Sequence, residues 1–189
     1  MARLFARQLK CLGACEESIK WVGDKEFEEA WASCEDIGWM FWLAEKLEVD
    51  LKLFVQAACR CARLVLHLVP KEEERPRRAI EAAEAWLEGR VSIEEVQVAT
   101  GAARAAAVAS WAATAAARAV ETAARVAWDA RIARDARAAA RVAGAATWAA
   151  EAAAYGVKAA DSSIKQHTFS IIREILITSV REKLAVLEV

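Results

Sequence analysis

The chain has 189 residues, of which 57% are hydrophobic and 28% charged, enough apolar surface to offset chain ordering, so composition excludes disorder. A formal net charge of −1 and a pI near 6.2 exclude the global basic field that drives unspecific nucleic-acid binding. A chain of this length buries roughly 70% of the surface its unfolded form exposes and suits one all-helical domain over residues 1–189.

Only two prolines occur, Pro70 and Pro76, and no stretch alternates apolar and polar residues in the manner of a strand. The expected fold is therefore all-α: an alanine-rich antiparallel bundle, or a short stack of helical hairpins, with roughly seven to nine helices. Strict repeats are absent, which ranks a regular solenoid second. Three parts follow in order: tryptophan- and cysteine-rich acidic helices over 1–69, alanine- and arginine-rich helices over 75–161, and a closing amphipathic helix over 163–189.

Residues 2 to 20 read as a first helix, and Asp24 as the cap of a second that runs through Trp31, with Glu26, Glu28 and Glu29 near its positive end. Asp36 opens a short aromatic helix. Asp50 caps a helix from Leu51 to Val69, whose Leu53, Ala57, Cys61, Leu64 and Leu68 repeat at three and four residues and mark a buried face. Pro70 stops this helix, Pro76 falls in the first turn of the next, and Gly89 lies just beyond its end. Ser92 and Glu95 form a capping box, in which each side chain satisfies a backbone N–H at the helix start. Residues 92–161 hold no proline and are about half alanine, which as one helix would reach roughly 105 Å. The chain must reverse within this stretch, with Gly101, Trp128 to Asp135, Gly144 and Gly156 as the places for it. Ser163 and Gln166 form another capping box before a helix whose Ile172, Leu176, Val180, Leu184 and Leu187 make one apolar stripe.

Cys11, Cys15, Cys34, Cys59 and Cys61 form an odd set in a chain large enough to need no disulfide framework, which points to a reducing compartment and a cytoplasmic location. Leu12-Gly13-Ala14-Cys15 has the form of a lipoprotein cleavage box. Arg7, Gln8 and Lys10 interrupt the apolar stretch of roughly 7 to 15 residues that should precede it. No uncharged run reaches the roughly 18 residues of a membrane span.

Candidate chemistry is thin. Cys59 and Cys61, two apart on one helix, point about 200° from each other and cannot share a zinc ion. They read as small buried hydrophobes. His67 and His167 are the only histidines, and Cys59 lies roughly 12 Å of helix rise from His67, beyond hydrogen-bond reach. The seven glycines are scattered singly, without a phosphate-cradling loop. No catalytic residue, cofactor or metal is expected, and the chain does not read as an enzyme.

Charge is more informative. Residues 16–50 hold eleven acids against three lysines, and residues 101–150 hold seven arginines against three acids, so the chain is electrically polarised. The acidic part also carries Trp21, Trp31, Trp39 and Trp42, mostly core by burial statistics. An acidic surface with aromatic anchors nevertheless suits a basic protein partner. Arg104, Trp111, Arg118 and Arg125 recur at multiples of seven and would line one side of a continuous helix. Glu121 and Asp129, each four residues from Arg125, and Asp135, four on from Arg131, offer local pairs that make a solvated face the simpler reading. The candidate partner-contact residues are thus Glu26, Glu28, Glu29, Arg104, Trp111, Arg118 and Arg125. The expected partner is a protein, a toxin or a second copy of the chain, rather than nucleic acid or membrane.

The stretch AACRCARLVLHLVP, followed by ERPRRAIEAAEAW from Glu74 to Trp86 and by Gly89, resembles a family of alanine-rich bacterial and phage-borne immunity proteins of toxin systems. Upstream, AWASCEDIGWMFWLAEKL resembles the tryptophan-rich beginning of such proteins; downstream, the alanine-rich region and a closing helix around Ile171 to Ile177 keep the same order. Residues 30 to 90 carry the specific part of the likeness. It implies an all-helical fold and neutralisation of a toxin by direct binding, and it assigns no functional residue.

Overall fold

A computed structural model describes residues 4–68, 71–107 and 162–187. These form eight α-helices and one 3-10 turn, with no strand among the described residues. In chain order the helices are α1 (Leu4–Cys11), α2 (Glu16–Val22), α3 (Phe27–Ser33), α4 (Ile37–Lys46), α5 (Leu51–Val65), α6 (Arg75–Leu87), α7 (Ile93–Ala107) and α8 (Ser162–Ala185), with the 3-10 turn at Leu66–Leu68. The fold is all-α, as the composition required.

Three helices end in the same way. Gly13 at φ +81° and Gly89 at φ +73° occupy the left-handed position after α1 and α6. In each case the next two amides turn back on the last turn: Gly13 N–H to Lys10 O and Ala14 N–H to Leu9 O, then Gly89 N–H to Trp86 O and Arg90 N–H to Ala85 O. This pair of bonds is a Schellman motif, and it satisfies carbonyls that a helix end leaves open. After α4 the same bonds form, Glu48 N–H to Glu45 O and Val49 N–H to Ala44 O, but the left-handed residue is Glu48 at φ +52°. An L side chain is disfavoured there, and its negative charge faces the negative end of α4. Glu48→Gly should therefore stabilise the fold by about 1 kcal/mol, seen as a rise of about 2–4 °C in the thermal midpoint.

The Gly13 turn corrects the expectation of one helix over residues 2 to 20. α1 stops at Cys11 and α2 begins afresh after Cys15, whose sulfur accepts from Ser18 N–H at 3.5 Å. Asp24 is not the cap of α3 either. Gly23 at φ +56° ends α2 and Lys25 N–H bonds to Val22 O, so the turn occupies residues 23–25 and Glu26 becomes the extended residue before α3. The α-helix expected from Leu51 to Val69 ends at Val65 and tightens into the 3-10 turn Leu66–Leu68, while other boundaries stand as the sequence indicates. Asp36 Oδ1 accepts from Trp39 N–H and Asp50 Oδ1 from Lys52 N–H, each at 2.9 Å. Pro76 lies in the first turn of α6. Ser92 and Glu95 exchange bonds of 2.8 and 3.3 Å. α7 continues through Gly101, so the chain does not reverse there. The other proposed reversals, and Pro70, lie outside the described residues. α8 starts at Ser162, which places Ser163 inside its first turn.

α5 is the central helix, packed between α6 and α8, while α7 lies on α6 and both α3 and α4 lean on α8. Its buried residues therefore encircle it: Phe54, Val55, Ala57, Ala58, Cys59, Cys61 and Ala62. The expected stripe marked only part of this, since Leu53 and Leu64 are half-buried. From the other side α8 supplies Phe169, Ile172, Leu176, Val180 and Leu184. The α8 stripe is as expected except at Leu187, which lies past the helix end and is half-buried. Alanines on α5 and α6 let these helices approach closely, and the larger side chains fill what remains.

Polar contacts fasten α8 to α1, α3 and α5. Gln8 Nε2, buried, donates to Leu184 O at 3.0 Å. The Arg173 guanidinium donates to Trp31 O at 3.2 Å and to Cys34 O at 2.6 Å, and Trp31 Nε1 donates back to Arg173 O at 3.3 Å. Arg60 pairs with Glu174 through two bonds of 2.9 and 3.2 Å. The carbonyls at the end of α3 are thus held by a cation, which the negative end of a helix favours.

The thiols divide by environment. Cys59 and Cys61 are buried on opposite sides of α5, and burial pushes both up to about 12. Burial also raises Cys34, whose thiol donates to Asp36 O at 3.5 Å. Cys11 and Cys15 are exposed, and hydrogen bonding with Ser18 lowers Cys15 below its ordinary value. Since the thiolate is the reacting species, brief iodoacetamide treatment at neutral pH should label Cys11 and Cys15. Cys34, Cys59 and Cys61 should react only after unfolding, as read by peptide mass spectrometry.

Candidate partner-binding face

The acidic residues singled out from the sequence surround the start of α3. Glu26, Glu28 and Glu29 are all exposed, and each lies where the helix N-terminus favours a negative charge. They are not equivalent. Glu28 is gripped by Arg181 of α8 through bonds of 2.6 and 2.9 Å, and this guanidinium holds its carboxyl below the ordinary value near 4.5. Glu26 precedes the helix without a side-chain cap bond. A depressed folded pKa contributes stability that is present above the unfolded value and lost as pH falls through the folded one. Because the pair is exposed on both sides, its coupling in a double-mutant cycle should be small at neutral pH, fading as pH falls below the ordinary carboxylate range and in high salt.

Of the basic candidates, Arg104 lies on α7, whereas Trp111, Arg118 and Arg125 lie outside the described residues.

The tryptophans separate into two kinds. Trp31 is buried, 3% exposed, with its indole N–H satisfied by α8, as a core residue should be. Trp21, Trp39 and Trp42 are half-buried. Trp21 of α2 meets Trp39 of α4 with ring centroids 5.8 Å apart. The Lys25 ammonium lies 4.4 Å from the Trp21 ring centroid and donates to Trp21 O at 2.6 Å. Together with Val22, Met40 and Leu43 these rings line an apolar cleft among α1–α4 with a cavity of about 40 Å³. A space of that size suits the tip of a side chain, far short of the roughly 300 Å³ or more of small-molecule pockets. An open groove of about 420 Å³ also runs along α1 and α2, where Arg7, Lys10 and Asp24 face water.

The acids were visible in the sequence as a run of like charge. The Trp21–Trp39 pairing and the pinning of Glu28 were not, because both depend on how helices meet. No group of three or more His, Cys, Asp or Glu able to hold a metal ion occurs among the described residues. His67 is exposed with Nδ1 bonded to Leu64 O at 2.8 Å. No helix among the described residues is long and apolar enough to cross a membrane.

Residues 48–131 match the model of a family described as Imm-5 like putative immunity protein. The resemblance noted in the sequence thus recurs in a family match, and its described part comprises α5, α6 and α7 from Glu48 onward. The tryptophan-rich helices and α8 lie outside it. No curated protein and no solved structure gives a significant match to the chain.

Proposed function

We propose that this chain is a non-enzymatic, immunity-type inhibitor that neutralises a protein toxin by binding it directly in the cytoplasm. The observation that carries this reading is the family match over residues 48–131. The segregation of charge supports it: eleven acids against three lysines over 16–50 give a face that steers a basic partner into contact. Glu26 and Glu29 are the acids of the predicted set with no cation bonded to them in the described structure, and Glu28 joins them in competition with Arg181. The test is affinity capture from the native host with mass spectrometry, followed by co-expression with the toxin recovered. Survival of the cells and recovery of a stoichiometric complex are expected; death of the cells despite ample folded protein overturns the reading.

The same charge segregation favours a second reading, a structural or regulatory helical protein that self-associates through its acidic 16–50 and basic 101–150 stretches. A salt-sensitive oligomer in sedimentation, formed by a chain that protects against no toxin, would select it.

A further inference from the structure

Three features of the N-terminal helices converge on one place. The apolar cleft is lined by half-buried Trp21, Trp39 and Trp42, which are hydrophobic walls left in contact with water. Its cavity of about 40 Å³ corresponds to roughly three water molecules by this measure, or the three or four heavy atoms at the tip of an aliphatic side chain. Helix register sets carboxylates beside two of its wall tryptophans. Glu17 precedes Trp21 by four residues on α2, and Glu45 follows Trp42 by three on α4, so each is a surface neighbour of a wall tryptophan. Glu17 is exposed and Glu45 half-buried.

We propose that this cleft docks a cationic protein segment bearing one aliphatic side chain, which fills the cavity between Trp21, Trp39 and Trp42 while flanking lysines or arginines meet Glu17 and Glu45. The inference rests on the direct-binding reading above and assigns it a place and a partner chemistry. Charge complementarity selects the occupant: three of the four helices that form the walls, α2, α3 and α4, belong to the strongly acidic 16–50 stretch, so a cationic segment gains more from the rim than an anionic or neutral one. The molecule already shows the contact in miniature, because Lys25 sets its ammonium over the Trp21 ring at 4.4 Å, the geometry by which an aromatic face attracts a cation. The Glu45 carboxyl is pushed up by burial, with Lys46 beside it only partly offsetting this, so an incoming cation relieves an existing cost. The aliphatic tip adds area removed from water at the centre, where hot spots of interfaces concentrate.

The test uses the full chain and two synthetic lysine- and arginine-rich helical peptides that differ only in a central leucine or alanine. Binding is followed by fluorescence anisotropy and tryptophan emission. The leucine peptide should bind about tenfold more tightly than the alanine one and shift the tryptophan emission to the blue. Glu17→Lys with Glu45→Lys should weaken it about tenfold and flatten its salt dependence, whereas Glu81→Lys, exposed on α6, should leave it unchanged. Equal binding of the two peptides, indifference to the rim reversal in a folded variant, or an emission shift that follows the protein's own concentration without peptide would each overturn the proposal. The last outcome would assign the cleft to a second copy of the chain. A toxin neutralised equally well by the rim-reversed chain would remove the cleft and keep the inhibitor. Leucine-selective peptide binding by a chain that protects against no toxin would do the reverse.

Discussion

Phe54→Ala should destabilise the protein by about 3–5 kcal/mol, the usual cost of removing a ring from a close-packed interior. Phe54 is 1% exposed and stacks on Phe41, 0% exposed, with ring centroids 5.4 Å apart and an interplanar angle of 28°. One ring comes from α4 and the other from the first turn of α5, so the pair joins the short N-terminal helices to the central one. Neighbouring alanines and cysteines on α5 are too small to close the void, and the destabilisation should exceed the transfer free energy of the ring alone. The measurement is a shift of the urea midpoint at unchanged slope. Phe54→Leu should recover most of the loss, because it restores volume while giving up only the aromatic contact. A loss under 1 kcal/mol for the alanine variant would mean that α4 and α5 do not meet through these rings.

Arg173→Met should cost about 2 kcal/mol, because it keeps the aliphatic stem but strips two carbonyls of a charged donor. Those carbonyls belong to Trp31 and Cys34, at the end of a seven-residue helix too short to stand without tertiary support. The cost should therefore be local as well as global, with faster amide exchange in α3 than in α5. Arg173→Lys should restore only part of it, since an ammonium cannot span both carbonyls with the guanidinium's geometry. Unchanged exchange in α3 would show that the apolar contacts of Trp31 alone hold the helix in place.

The fold class was legible because helix ends are written in short-range chemistry. Asp36, Asp50, Ser92 with Glu95, Pro76 and Gly89 all stand where the sequence put them. The misjudged ends involve tertiary choices. Gly13 inside an otherwise helical pattern could be tolerated or could stop the helix, and packing of α2 against α1 decides for a stop. Asp24 is as good a cap in isolation as any, but the tight turn after Gly23 leaves it too early by two residues. The candidate face was legible as charge and as tryptophan content. Which tryptophans keep an open edge, and which acid is already spent on Arg181, follows from α8, more than a hundred residues further along the chain. No local pattern encodes that meeting.

The closing helix also sets the order in which this protein can mature. Gln8 bonds to a carbonyl 176 residues away, and Trp31 to one 142 residues away, so contacts of extreme sequence separation complete the N-terminal core. During synthesis the helices that bear Phe41 and Phe54 leave the ribosome long before Ile172, Leu176 and Val180 exist to cover them. Such a topology folds slowly and leaves apolar surface open in the nascent chain, where chaperones or aggregation can compete for it.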